Sequence, residues 1–274
     1  MNQKVKWLFS IIVLLMVGAL LYGFLFGKLF PYSPVVVGFS KHELSNTKIY
    51  VQKGAEFTDF EKIDSLLPEV EQFHEWPFLK KPRIFIFKDN RSFYQRSSSR
   101  ARFCAFFNGD IIISPWAMKE AEAGDISLEI YLKHELSHSL LHQHSGLVKA
   151  IRYPRWLLEG IAVYSTHQMG TSWYPSKEET YQYIRNGNFM PPEYFKTKKE
   201  KEISLDVKYP ITFMYSEFGC MVDYLVETYG KEKFVFYMKE LTKDSNPHSV
   251  FQRIYLVAFD EYVRNFKKSI TDQS

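Results

Sequence analysis

From Trp7 to Gly27 the chain runs WLFSIIVLLMVGALLYGFLFG, 21 residues without a charge, with Ser10 and Tyr22 carrying its only hydroxyls. At about 1.5 Å per helical residue this segment reaches roughly 31 Å, the thickness of a hydrocarbon core. No face of such a helix suits water, so a soluble core helix is a poor account of it. Cleavable signals have a shorter apolar stretch, about 7–15 residues, closed by a small-x-small site. This run instead ends in FLFGKLFP. The sequence therefore predicts an uncleaved membrane anchor over residues 1–30, in the lipid bilayer through residues 7–27. Lys4, Lys6 and the amino terminus favour a cytoplasmic N-terminus, although Lys28 and Lys41 dilute that bias. The expected location is a single-pass membrane protein with its remaining domain extracytoplasmic.

The anchor also explains the charge. The net +4 falls to 32 basic against 31 acidic residues once Lys4, Lys6 and Lys28 are set aside. A balanced domain has no excess of cations to displace counterions from a polyanion, which argues against a nucleic-acid partner. Local clusters such as Lys196–Lys201 (KTKKEK) fit a solvated loop. Cys104 and Cys220 are too few for a disulfide scaffold; one bridge and two separate thiols both stay open.

Beyond the anchor the pattern is α+β: a small β-rich N-terminal lobe over about 47–124 and a mainly helical C-terminal lobe over about 125–270, together one domain of residues 47–270. Residues 31–46 (PYSPVVVGFSKHELSN) resemble a tether. Strands are predicted at Lys48–Gln52 and Arg83–Phe87, with a hairpin turning at Asn108-Gly109-Asp110 between ARFCAFF and IIIS. Helices are predicted near 58–74, 91–97, 126–144, 154–168, 177–186, 211–229, 231–242 and 248–268, with Gly146, Gly170 and Gly230 as stops.

The stretch that carries chemistry is ISLEIYLKHELSHSLLHQH, residues 126–144. It contains His134-Glu135-Leu136-Ser137-His138. Helical residues four apart are offset by about 40° and one turn, so His134 and His138 project side by side and can hold one metal ion. Glu135 lies beside them, placed to take a proton from an attacking water. A catalytic zinc site needs a third protein ligand from another element and an open fourth position. Glu159, 21 residues after His138 in PRWLLEGIAVY, meets that need if two antiparallel helices join near residues 146–153.

His-Glu-x-x-His followed by W-x-x-E-G-x-A-x-Y resembles the gluzincin zinc metallopeptidases, most closely the peptidase-MA-like group. The similarity extends over most of residues 48–268 and includes NGNFMP at Asn186–Pro191 and a helix carrying Tyr215 before YLVETYG. The resemblance implies a gluzincin-like domain with one Zn2+ per chain held by His134, His138 and Glu159, with Glu135 as general base. It also implies a peptide or protein substrate, oriented by an edge strand beside the active-site helix, either Arg102–Phe107 or Ile111–Ser114. Tyr215 is the candidate donor to the oxyanion, ahead of Tyr164 and His167. No G-x-M-E-N segment occurs, so exopeptidase activity has no support.

Two departures matter. Leu158 stands where related enzymes often have Asn, and Val163 where some have an Asp that orients a zinc histidine. Losing such a partner changes metal affinity or activity by about 10- to 100-fold unless another group substitutes. The rival ligand His144 sits six residues after His138, but Leu141 replaces the glycine that would turn it back. A continuing helix rotates it by about 240° away from the ligand face. His142 is expected beside the ligands or as a helix-end cation. The alternative to a membrane-anchored peptidase is a zinc-binding, non-catalytic envelope scaffold or peptide-binding protein.

Overall fold

A computed structural model describes residues 3–244 and 246–272 and has an α+β architecture. Helix α1 (Gln3–Leu25) is long and apolar enough to cross a membrane, and none of its residues is buried against the domain. A 3-10 turn at Phe30–Tyr32 leads to β1 (Phe39–Glu43) and β2 (Lys48–Gln52). Next come α2 (Phe60–Asp64), α3 (Leu67–His74), β3 (Arg83–Ile86), α4 (Asn90–Arg96), β4 (Phe103–Ala105) and β5 (Ile111–Ile113). The helical part follows: α5 (Pro115–Glu122), α6 (Leu128–Arg152), α7 (Arg155–Ser165), α8 (Lys177–Arg185), α9 (Pro210–Tyr229), α10 (Lys231–Glu240), α11 (Pro247–Tyr255) and α12 (Phe259–Thr271).

Residues 31–46 are not a tether. Phe39–Glu43 pairs antiparallel with β2 as the first strand of the sheet. Its sequence, FSKHE, has no buried residue, so no apolar alternation announced it. The helix expected over 58–74 is two helices, because Pro68 opens the first turn of α3 and supplies no N–H to a helix running through it. The helix expected over 248–268 breaks at Leu256, which adopts a left-handed φ of 60°.

The five strands lie in the order β1-β2-β3-β5-β4. β2, β3 and β5 run parallel, while β1 and β4 are antiparallel edges. Side chains alternate across this sheet with period two. Ile49, Val51, Ile84, Ile86, Ile111 and Ile113 face α6. Phe85, Phe87 and Ile112 face the opposite side, where Phe30 and Phe93 cover them. A second core fills the helical lobe around α7, α9 and α12.

The long helix α6 belongs to both lobes. Leu132, Leu136 and Leu140 pack on the sheet, and Leu141 belongs to the helical core. Full burial of each such leucine stabilises by about 1.5–3 kcal/mol, so the sheet face of α6 is firmly seated.

Candidate metal centre

Ser127 caps α6, accepting a hydrogen bond from Ile130 N at 3.3 Å. The leucines four apart that fix the helix against the sheet leave another face for His134, Glu135, His138 and His142. Gly146, at φ 65° and ψ 168°, interrupts the helix at the stop expected from sequence, and a short helical stretch continues to Arg152. His134 and His138 are buried, with ring centroids 4.6 Å apart.

Glu159 comes from α7, which packs so closely on α9 that a Cβ on Gly160 would lie 2.5 Å from the Phe218 carbonyl oxygen. Gly219 on the facing helix is equally confined, since a Cβ there would lie 2.8 Å from Val163. Hence the glycine after the candidate ligand has a packing reason: it lets α7 sink onto α9. The Glu159 carboxylate then faces α6, with Oε2 3.4 Å from His134 Nε2 and 3.3 Å from His138 Nε2.

The three ligand atoms lie within 4.8 Å of one another, so this group could hold a metal ion. The donor chemistry fits one. His134 Nδ1 lies 2.8 Å from Gln168 Oε1, a carbonyl that only accepts, so Nδ1 bears a proton. In the neutral ring Nε2 then presents a lone pair to another lone pair on Glu159, an arrangement that calls for a cation between them. The same conflict appears in the electrostatics. Burial opposes the His134 imidazolium, but hydrogen bonding to Glu159 and the charges of Glu135 and Glu159 outweigh it and raise the pKa. Burial also opposes the Glu159 carboxylate, yet hydrogen bonds from His134 and His138 and the Lys196 charge hold its carboxyl well below the usual range. A second group, Glu193, His248 and Asp260, is wholly exposed and sits at the N-termini of α11 and α12, whose dipoles oppose a cation.

Compared with known protein families and with curated proteins, the chain finds no match. The site is therefore read from its own residues. Glu135 turns from the ligands toward the edge of the sheet, where its Oε2 accepts from Ala105 N at 2.6 Å. Of the two candidate strands for orienting a peptide, β4 is the edge and β5 is enclosed between β3 and β4. Tyr215 on α9 stacks on His134 with ring centroids 6.2 Å apart. Its hydroxyl is held far above the ordinary tyrosine pKa by burial, the Glu159 charge and a hydrogen bond to Glu159. It stays protonated as a donor. The cleft holding these groups has a volume of about 730 Å3 and is walled by Arg102, Phe107, Arg155, Trp173 and Tyr174.

His144 is not among them. It stacks on Trp76 at 3.6 Å and bonds to Pro77 O, on the far side of α6. His142 borders the cleft, with Nδ1 bonded to Phe106 O at 3.0 Å, and burial lowers its pKa to about 3. It is a neutral wall residue rather than a helix-end cation. Tyr164 and His167 do not line the cleft. Both cysteines are free thiols.

Two residues escaped sequence reasoning. Gln168 bonds the His134 ring, which Val163 has no polar group to do; Val163 itself is buried in packing against Gly219. The chain reaches Gln168 through a left-handed residue, His167 at φ 52°, which carries it back toward α6. Lys196, from the basic loop, lies 2.8 Å from Glu159 Oε1. Neither position belongs to a recognisable spacing.

Proposed function

We propose that the chain is a membrane-anchored zinc metallopeptidase of the gluzincin type, with one Zn2+ per chain and Glu135 as general base. The N-terminus is cytoplasmic and the catalytic domain extracytoplasmic. The observation that carries this reading is the convergence of His134, His138 and Glu159 on one point, with Glu135 between them and the edge strand.

His134, His138 and Glu159 would hold the ion, which supplies Lewis acidity: polarisation of a scissile carbonyl and acidification of water. The chain's own groups do the rest. β4 offers its open edge to an extended peptide, which brings the scissile bond beside Glu135. Glu135 accepts a proton from the attacking water and delivers it to the leaving nitrogen. Tyr215 donates its hydroxyl proton in a hydrogen bond to the developing oxyanion. Gln168 keeps His134 in one tautomer, and Lys196 restrains the outer oxygen of Glu159.

The non-catalytic alternative has one observation in its favour: the Glu135 carboxylate is already engaged by Ala105 N, which also suits a groove that only holds a peptide. Digestion of a diverse peptide library by the purified full chain separates the two. A peptidase cuts the library, and Glu135→Gln lowers cutting by roughly 10²- to 10⁴-fold while metal content stays stoichiometric. Equal inertness of both forms, with metal bound, would establish the scaffold. Absence of metal from both would overturn the site itself. A compartment-sensitive reporter at the carboxyl terminus tests the orientation, and a cytoplasmic signal would reverse it.

A further inference from the structure

We propose that the cleft works at the membrane surface, on peptide segments within a few residues of their own membrane anchor. This rests on reading the cleft as a peptidase site and α1 as a membrane span.

The junction between α1 and the domain has no flexible linker. Phe30, five residues past α1, is 1% exposed and packs on Phe39 and Phe85 at 5.3 and 5.2 Å. Lys28 Nζ donates to Ser97 O at 2.7 Å and also to Tyr94 O. The Arg96 guanidinium sits over Phe26 and Phe30 and donates to Val37 O at 2.8 Å. Gln95 Nε2 donates to the hydroxyl of Tyr22, within α1 itself, at 3.2 Å. The end of the span is thus clamped to the end of α4.

The segment leaving that clamp is the wall of the cleft. Ser98 follows Ser97 directly, and residues 98–107 line the cleft together with Tyr32 from the junction. From Ser97 to Phe103, the start of β4, six residues cover at most about 20 Å. A domain of this size is roughly 45 Å across. The candidate substrate strand therefore lies in the half of the domain nearer the bilayer. Charge points the same way: residues 88–102 carry five basic side chains against one acidic, in a domain otherwise near neutral. Arg91 and Arg100 are exposed and make no ion pair among the described residues, which suits anionic headgroups.

An extended chain rises about 3.3 Å per residue, so about six residues carry a peptide from the headgroups to β4. A substrate anchored in the same membrane also meets the cleft at a raised effective concentration. A soluble peptide has neither advantage.

The test uses the full chain in vesicles of phosphatidylcholine and phosphatidylglycerol. Ser98→Cys adds an exposed thiol for a fluorescent donor; the Cys104 thiol, its pKa pushed up to about 12 by burial and the Glu135 charge, stays largely unlabelled. Energy transfer to a lipid-bound acceptor is expected to place the donor within about 15 Å of the headgroups, given the one-residue step from the clamp. Inserting about 20 Gly/Ser residues after Gly27 is expected to add on the order of 25 Å. A donor far from the bilayer in the full chain, or indifferent to the insertion, overturns the placement.

One peptide sequence is then offered on a lipid anchor with a short spacer, with a long spacer, and free. The full chain is expected to cut the short-spacer form at least about tenfold faster, and the insertion variant to lose that preference. Equal rates on all three by the full chain overturn the substrate assignment, whatever the distance. No cutting by either form, with the donor close to the bilayer, overturns the peptidase reading and supports the membrane placement.

Discussion

Glu159 and Glu217 lie on neighbouring helices of one lobe, both buried, and their surroundings shift their pKa values in opposite directions. Hydrogen bonds from His134 and His138 and the Lys196 charge overcome burial at Glu159, holding its carboxyl far below the ordinary range. At Glu217 burial dominates: one backbone donor, Met190 N at 3.1–3.2 Å, and the charge of Lys267 do not offset it, and its pKa is pushed well up. Burial favours the protonated form of Glu217, which ties the Asn188–Met190 turn to α9. Burial alone therefore does not mark a functional carboxylate; convergent donors around a buried one do.

The sharpest way to break this comparison is to exchange each acid for its amide. Glu159→Gln removes a candidate ligand and is expected to weaken metal binding by more than the roughly 10- to 100-fold that loss of an outer partner costs, read by competition with a chromogenic chelator. Glu217→Gln should leave affinity as it is. Equal losses would mean that Glu159 is structural. Next in size, Gln168→Leu frees the His134 ring and is expected to cost about 10- to 100-fold in affinity with little change in Tm. Gly160→Ala forces α7 off α9 and is expected to destabilise by about 1–3 kcal/mol in thermal unfolding, lowering metal affinity with it because Glu159 shifts. Unaltered affinity there would separate helix packing from ligand position.

The two acids also differ in how they tie stability to pH. Glu217 has a raised folded-state pKa, so its proton is retained on folding and released on unfolding above the ordinary glutamate pKa. Its contribution is complete below about pH 4.5 and declines as pH rises toward the folded value, by at most about 1.4 kcal/mol per pH unit. Glu217→Gln is expected to flatten stability against pH above about pH 4.5. An unchanged slope would show that the carboxylate is charged in the folded protein.

The part of the site that sequence made legible is the part built by local geometry. The spacing of His134 and His138 needs only a helix, and Leu132, Leu136 and Leu140 announce that helix and its buried side. Glu159 was found through the motif around it, but the reason for Gly160 appears only when α9 is laid across α7. Gln168 and Lys196 are brought in by loops turning at left-handed residues, His167 and Lys196 itself, where no periodicity operates. In the β lobe, alternating Ile and Phe revealed the inner strands. β1 is not legible because an edge strand with no buried side chain carries no such alternation, so its residues resemble a tether.

The shared helix α6 has a mechanical consequence. One of its faces is fastened to the sheet through Leu132, Leu136 and Leu140, while Leu141 is fastened to the helical lobe. A hinge motion prising the lobes apart would load this helix directly beside His138 and spread the histidine pair. The α3 contacts Phe73–Tyr164 and Lys239 Nζ to Glu75 O brace the same two lobes beside this helix. In the proposed peptidase a substrate enters along the open edge of β4, and the work of admitting it falls on side chains and loops such as the one bearing Lys196.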